Sequence, residues 1–133
     1  MRMADTVSVL IPLKAEYVSI ARLAASGVAN RIGFDFDTIE DIKVVLSEIL
    51  GRIIGKKPSD ERITIDFVST GDGLKIQFNL SDNSISNIFD NEDSLAWAIV
   101  SSLMDEIDMR KNGRTVMTTT KKLGKAVSDE QSN

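Results

Sequence analysis

The first third of the chain combines one short apolar run with one long segment of helical periodicity. Residues 6–12 are β-branched and apolar and end in a proline, which predicts a first strand. From residue 15 to about residue 32, apolar side chains recur at steps of three and four residues, which predicts an amphipathic helix. Its apolar stripe consists of Tyr17, Ile20, Ala21, Ala24 and Val28, whereas Arg22, Ser26 and Arg31 lie off it.

A second helix is predicted to begin at Asp37. Asp37 and Glu40 have the spacing of a capping box, in which side-chain acceptors meet the unpaired amide groups of the first turn. Gly55, followed by Pro58, marks its end. The predicted buried stripe of this helix consists of Ile39, Ile42, Leu46, Ile49 and Ile53.

The middle of the chain predicts a β-hairpin followed by a loop. Residues 62–69 and 74–80 are strand-like runs, and residues 70–73 (TGDG) supply glycines that tolerate the positive φ angles of hairpin turns. Residues 81–91 are rich in serine, asparagine and aspartate, whose side chains compete with regular backbone hydrogen bonding. We therefore expect irregular structure after the hairpin.

The last third of the chain predicts a third helix and a closing hairpin. Residues 107–111 and 114–123 are strand-like and flank Asn112-Gly113, a strong short-range hairpin signal. Residues 125–133 are polar and lack periodicity, so we expect a disordered C-terminal tail. The third helix is predicted from a four-residue step that joins Leu95, Ile99, Leu103 and Ile107.

This order of elements predicts the fold class. A strand, two helices, two strands, a helix and two strands indicate an α+β, two-layer arrangement, with three helices on one face of a mixed, mostly antiparallel sheet. Residues 1–124 form one domain in this interpretation.

Composition narrows the chemistry that this domain can perform. In 133 residues, 42% are hydrophobic and 27% are charged, which is typical of a folded globular domain. The sequence has no cysteine and no histidine, which excludes disulfides, thiolate nucleophiles, imidazole bases and the usual zinc ligands. Carboxylates, lysines and hydroxyls remain, and these suit a magnesium-dependent phosphoryl transfer with a carboxylate base.

The charge balance bears on partners and location. Sixteen basic and 20 acidic residues give a net charge of -4, which argues against direct nucleic-acid binding. No apolar run approaches the roughly 20 residues that cross a bilayer, and residues 1–5 lack the apolar region of a signal peptide. We therefore expect a cytoplasmic protein without membrane contact.

Five segments of the chain resemble the bacterial anti-sigma-factor serine-protein kinases. They are residues 12–23 (PLKAEYVSIARL), 26–33 (SGVANRIG), 39–48 (IEDIKVVLSE), 103–107 (LMDEI) and 112–123 (NGRTVMTTTKKL). The resemblance implies the histidine-kinase-like ATPase fold shared with gyrase and Hsp90. It also implies proteins that hold a sigma factor inactive as dimers and phosphorylate a serine on an antagonist protein.

The family uses three boxes for its ATP chemistry, and the first falls on the second helix. Glu48 coincides with the family's glutamate and is the candidate, vestigial catalytic base. Four residues on, Arg52 replaces the magnesium-binding asparagine, and a guanidinium offers donors but no acceptor for a cation. Because Glu48 and Arg52 are one helical turn apart, the plainer prediction is a surface ion pair of about 0.3 to 0.5 kcal/mol.

The other two boxes are glycine-containing loops in the family. The adenine-reading box falls on residues 81–85 (SDNSI), where no glycine is present and Asp82 is the vestigial cofactor-binding candidate, although such an aspartate is more often a turn former. The phosphate-covering loop falls on residues 93–96 (DSLA), where Glu92 and Asp93 suit a helix N-terminus and repel a polyphosphate.

Other residues are candidates for protein contacts. Arg22 matches the arginine of the first helix that, in the family, contacts sigma factor and antagonist, and Ser26 lies near it; a solvated helix arginine is the plainer interpretation. The first strand carries few charges and suits the edge-to-edge homodimer that the resemblance implies. Trp97, the only tryptophan, either fills the altered nucleotide pocket or packs in the core or an interface.

Together these features predict an anti-sigma-like regulatory protein that binds a sigma factor, an anti-sigma antagonist or both, with no cofactor and no metal site. One alternative is an active ATP-dependent serine-protein kinase, with Glu48 as base and Asp41 or Asp82 as magnesium ligand. Another is a non-catalytic subunit that pairs with an intact kinase homologue. Enzymatic activity is left open, with more weight against it than for it.

Overall fold

The computed structural model describes residues 5–81, 88–109 and 114–124. Short 3-10 turns, Ala15–Tyr17 and Asn91–Asp93, precede the first and third helices. The helices and strands are β1 (Asp5–Pro12), α1 (Val18–Ile32), α2 (Phe36–Gly55), β2 (Arg62–Thr70), β3 (Gly73–Asn79), α3 (Ser94–Leu103), β4 (Glu106–Met109) and β5 (Thr115–Lys122).

The strands form one five-stranded sheet in the order β1-β2-β3-β5-β4. Each of the four pairings is antiparallel, so the predicted α+β architecture is confirmed, while the described strands contain no parallel pair. The prediction of a mixed sheet is corrected in that respect. No helix in the described part of the chain is long and apolar enough to span a membrane.

The core lies between the sheet and the helices. Alternate residues of the central strands are fully buried, whereas their neighbours on the opposite face are half-buried and, apart from Val68, polar. The buried strand residues are Ile63, Ile65 and Phe67 in β2 and Leu74, Ile76 and Phe78 in β3. Helix α2 contacts both α1 and α3 and contributes Ile42, Leu46, Ile49 and Ile53, as its predicted stripe requires.

Helix α1 buries most of its predicted stripe, since Ala21 is fully buried and Tyr17, Ala24 and Val28 pack against the core, but Ile20 is misplaced in the prediction. Ile20, assigned to the stripe, is 46% exposed, while Ala21, Ala25 and Ala29 are completely buried. These alanines form an i, i+4 row on the buried side of α1, which packs against α2 and the sheet, and Ile20 lies outside that row.

The start of α2 also differs from the prediction. The helix begins at Phe36, and Asp35 is its N-cap: the backbone N–H of Thr38 donates to Asp35 Oδ1 at 2.8 Å. Asp37 therefore lies inside the first turn and is not the cap. Before the cap, Gly33 ends α1 with a φ of 113°, a conformation that favours glycine.

Helix α3 is shorter than its apolar repeat suggests. Leu95 is 75% exposed, and Ala96 and Val100 are the buried residues. The helix ends at Leu103, because from Asp105 onward the chain pairs with β5, beginning with the Asp105 N–H to Thr120 carbonyl bond of 2.9 Å. Ile107 consequently belongs to β4 and not to the helix.

Both predicted hairpins have the expected strands. β2 and β3 are joined at Gly71 and Asp72, although neither Gly71 nor Gly73 has a positive φ. β4 and β5 are paired antiparallel, whereas the turn at Asn112-Gly113 and the predicted tail at 125–133 lie outside the described residues.

Candidate functional site

Arg52 on α2 and Asp93 before α3, which the resemblance assigns to two of the ATP boxes, meet at one cleft. Arg52 Nη1 donates to Asp93 Oδ1 at 3.1 Å, and Lys56, one turn further along α2, donates from Nζ to Asp90 Oδ2 at 2.7 Å. Lys56 Nζ also lies 3.5 Å from Asp93 Oδ2. We call these four residues the charge cluster.

The acidic half of the charge cluster is organised by the 3-10 turn before α3. The backbone N–H of Glu92 donates to Asp90 Oδ1 at 3.0 Å, and the backbone N–H of Asp90 donates to Asp93 Oδ2 at 3.1 Å. This reciprocal arrangement is a capping box. It leaves Asp90 Oδ2 and Asp93 Oδ1 directed to Lys56 and Arg52.

These contacts favour the charged forms of Asp93 and Lys56. The backbone N–H of Asp90 lowers the pKa of Asp93, with further lowering from the Arg52 guanidinium and the Lys56 ammonium. The Asp90 carboxylate in turn raises the pKa of Lys56 through their hydrogen bond. Folding therefore favours the carboxylate of Asp93 and the ammonium of Lys56.

The predicted ion pair between Glu48 and Arg52 is wrong. Arg52 is committed to Asp93 across the cleft, and Glu48, half-buried one turn earlier on α2, is in no ion pair found among the described residues. Arg52 pairs with Asp93 and not with Glu48 because the start of α3 packs against α2 at this point. The spacing of residues along one helix does not reveal such a contact.

The cleft itself is small and strongly polar. It has a volume of about 250 Å³, and Glu48 is not among the residues that line it. It is lined by Gly51, Arg52, Gly55, Lys56, Asp90, Glu92 and Asp93. Its charged side chains are two cations and three carboxylates, and both cations are already paired. The described residues that line the cleft therefore offer a polyphosphate no unpaired positive charge.

The remaining cofactor candidates do not come together in the described part of the chain. Asp82 lies outside the described residues, as do most of residues 81–85. Asp41 is half-buried on α2, two turns before Glu48. Among the residues that the structure describes, no group of three or more carboxylates is placed to hold a metal ion.

Residues 93–96 form the start of α3 and not a flexible loop. Asp93 is the N-cap residue, Glu92 and Asp93 belong to the preceding turn, and Ala96 is buried. Carboxylates at this helix start match the positive end of the helix dipole, as the sequence indicates.

Trp97 lies beside the cleft and not inside it. Its side chain is 40% exposed and packs edge-on against Phe89, with 5.5 Å between ring centroids. Both rings line a second cavity of about 580 Å³, together with Asp90, Asn91, Ser94 and Met109. Trp97 is therefore not among the residues that line the Arg52 cleft, and its observed contact is the packing against Phe89.

The partner-binding candidates lie on α1, away from the charge cluster. Arg22 is exposed, and Ser26 is half-buried with its hydroxyl donating to the Leu23 carbonyl at 3.0 Å. Ile20 and Leu23, 46% and 71% exposed, are three residues apart and form an exposed apolar surface on α1 that the predicted stripe did not identify. The i, i+4 row of alanines in the sequence was the available signal, because it marks the buried face of α1 and so leaves Ile20 and Leu23 outside that face.

Sequence reasoning also missed Lys56 and Asp90. Lys56 is four residues after Arg52 and so lies on the same helical face, and Asp90 is three residues before Asp93. These spacings are visible in the sequence. Their pairing across 34 residues of chain is not.

A scan against protein-family models finds no match. Curated relatives are nevertheless similar over most of the chain. Serine-protein kinase RsbW of Bacillus cereus (strain ATCC 10987 / NRS 248) is 35% identical over 136 residues, covering 86% of this chain and 84% of the relative. The proteins of the same name from Bacillus thuringiensis subsp. konkukian (strain 97-27) and Bacillus thuringiensis (strain Al Hakam) are 35% and 32% identical, with the same coverage.

An antiparallel five-stranded sheet with three helices on one face is the arrangement of the histidine-kinase-like ATPase fold. Identity of 32% to 35% over 86% of the chain to several relatives of one name shows the family within that fold class. The chain belongs to the RsbW family of anti-sigma-factor serine-protein kinases.

Proposed function

We propose that this chain is an anti-sigma-type regulatory protein that acts by binding a protein partner and does not bind ATP appreciably. The observation that carries the second half of the proposal is the Arg52–Asp93 ion pair of 3.1 Å. It joins a side chain that cannot coordinate magnesium to the carboxylate at the position of the phosphate-covering loop. Both departures from the family pattern thus stabilise each other.

Calorimetric titration of the chain with ATP and magnesium tests this part of the proposal. We expect no heat of binding up to about millimolar nucleotide, which corresponds to binding weaker than about -4 kcal/mol. The control is an RsbW homologue with the family's boxes intact, titrated in the same buffer. Micromolar binding to the chain would favour the alternative, an active serine-protein kinase in which Glu48 serves as base.

The partner of the proposed function is a sigma factor, an anti-sigma antagonist or both, and its contact surface is α1. The relatives are named serine-protein kinases, and the family is one of anti-sigma factors. On α1, Arg22 is exposed, and the exposed apolar side chains of Ile20 and Leu23 lie on another part of the helix surface, because residues one or two positions apart do not face each other. An exposed charge and exposed apolar side chains on one helix support α1 as a protein-binding element.

Co-purification from the native cell tests partner binding. We expect the wild-type chain to retain a sigma factor or an antagonist-type protein, and the Arg22→Glu variant to lose it. Arg31→Glu is the matched control, because Arg31 is a second exposed arginine near the other end of α1. Recovery of neither kind of partner with the wild-type chain would contradict the proposal.

We also propose that the chain pairs through β1, as a homodimer or with an intact kinase homologue. β1 is a sheet edge whose one paired strand among those described is β2, and Val7 and Leu10 on it are 46% and 58% exposed. Native mass spectrometry of the chain alone and mixed with an intact homologue distinguishes the two assemblies by mass.

A further inference from the structure

We infer that the charge cluster is a releasable latch, which holds residues 90–93 against α2 without any nucleotide and keeps the two neighbouring cavities separate, while Ile88 and Phe89 are anchored in the core. The regulatory meaning of this latch rests on the proposed function, in which no nucleotide occupies the cleft. The latch itself rests on geometry alone.

The latch joins one face of α2 to one short turn. Arg52 and Lys56 are one helical turn apart, and the two carboxylates that they contact are three residues apart in the Asn91–Asp93 turn and its cap. Three cation–carboxylate contacts, of 3.1, 2.7 and 3.5 Å, cross this gap. The spacing of the cations therefore matches the spacing of the carboxylates.

The turn would separate from α2 as a unit, because each of its two carboxylates makes one hydrogen bond within the turn and another to α2. Asp90 uses Oδ1 for the backbone N–H of Glu92 and Oδ2 for Lys56, and Asp93 uses Oδ2 for the backbone N–H of Asp90 and Oδ1 for Arg52. Loss of the contacts to α2 leaves the internal bonds of the turn in place. Release consequently separates the whole turn from α2.

The cations of the latch also make its release easy. The Arg52 side chain is 39% exposed and the Lys56 side chain 26% exposed, so dissolved ions can screen both charges. Arg52 Nε is buried and has no hydrogen-bond partner among the described residues, and it would regain water on opening. These features suit a latch that opens and closes, in contrast to a permanent buried ion pair.

Asp90 forms part of the wall between two cavities. It lines both the cleft of about 250 Å³ beside Arg52 and the cavity of about 580 Å³ beside Trp97. Because Phe89 precedes Asp90 and packs against Trp97, displacement of the turn disturbs that aromatic contact and joins the two spaces. Trp97 is therefore an intrinsic probe of the latch.

Hydrogen–deuterium exchange of residues 88–94, measured without nucleotide, tests the latch in the full chain. In Arg52→Gln and Lys56→Gln we expect exchange about threefold to tenfold faster than in wild type, the range that loss of partly exposed ion pairs allows. Lys43→Gln is the matched control, because Lys43 is also on α2 and pairs with Glu40 at 2.8 Å, away from the turn. Unchanged exchange in both variants, or an equal increase in the control, would overturn the inference.

A second measurement uses the wild-type protein and so avoids any effect of a substitution on folding. Raising the salt concentration to about 1 M shortens the screening length to about 3 Å, which should speed exchange at residues 88–94 and shift Trp97 fluorescence. A segment that is insensitive to salt would contradict the latch. The ATP titration bears only on the proposed function, so tight ATP binding together with salt-sensitive exchange would reject that function and retain the latch.

Discussion

A single carboxylate begins α2, and its removal provides a residue-scale prediction. Asp35 accepts the Thr38 N–H at 2.8 Å, whereas Asp37 is already inside the helix. We expect Asp35→Ala to lower the melting temperature by about 2 to 6 °C, the usual effect of losing an N-cap. Asp37→Ala, the control, should change it less, and thermal unfolding followed by circular dichroism gives both values. A larger effect at Asp37 would contradict the assigned cap.

The same cap predicts a pH dependence. The Thr38 backbone N–H, with a smaller contribution from the Thr38 hydroxyl, lowers the pKa of Asp35. A carboxyl whose pKa is lower in the folded state adds stability above its ordinary pKa, and that stability is lost as pH falls through the folded value. The difference in melting temperature between wild type and Asp35→Ala should therefore shrink as pH is lowered from about 7 to about 3. Asp35→Asn, which keeps an uncharged cap, serves as control, and a difference that stays constant into acid would disagree with this linkage.

Gly73 is required by a close approach of two strands. A Cβ at this position would lie 2.8 Å from Lys122 Cα and would also collide with the Lys121 carbonyl oxygen. We expect Gly73→Ala to destabilise the fold by about 1 to 3 kcal/mol through overpacking, in contrast to Gly71→Ala. A Cβ at Gly71 would meet open space, and the residue has no positive φ, so urea unfolding should show little change there. Equal effects at the two glycines would contradict a steric cause.

The charge cluster shows what single residues reveal about a site before a structure is known. The presence of an arginine at position 52 and of a carboxylate at position 93, where the resemblance implies a magnesium ligand and a glycine-containing loop, is legible in the sequence. The contact between them is not, because 41 residues separate the partners and several equally good carboxylates lie nearer in the chain. Helical spacing predicts Glu48 as the partner of Arg52, whereas in the structure tertiary packing brings Asp93 to it.

At the scale of elements, the packing of α1 against α2 depends on small side chains. Ala25 is completely buried in the row formed with Ala21 and Ala29. We expect Ala25→Leu to cost about 1 to 3 kcal/mol in the free energy of unfolding, because the added atoms force the helices apart. Leu23→Ala on the exposed face should leave stability nearly unchanged, and chemical denaturation compares the two. A tolerated leucine at position 25 would mean that α1 can be displaced without loss of packing.

Element identities were largely predictable from sequence, and helix faces were less so. Period-two and period-four patterns and the turn residues located all five strands and three helices, because these signals are local. In α1 and α3, however, the large apolar residues Ile20 and Leu95 are exposed and alanines are buried. Hydrophobicity ranks leucine above alanine, whereas close contact between elements selects for size. The distance between two packed elements cannot be read from a short segment of the sequence.

For the whole molecule, pairing through β1 gives the last prediction. β1 ends the sheet on one side, and Val7 and Leu10 leave it with two exposed apolar side chains. We expect Leu10→Lys to shift the chain from dimer to monomer in light scattering after size-exclusion chromatography, because a charge at an edge strand disfavours sheet extension. Leu95→Lys is the control, since Leu95 is also exposed but lies on α3, outside the sheet.

The two variants distinguish dimerisation through the β1 edge from non-specific association of exposed apolar side chains. Loss of the dimer with Leu10→Lys alone supports the edge, and equal loss with both variants would show that α3 takes part. A wild-type chain that is monomeric over the whole concentration range would contradict pairing through β1. In that case the exposed side chains of β1 and the Arg22 surface of α1 would both be free for a protein partner, and binding of one monomer per partner is then the expected stoichiometry.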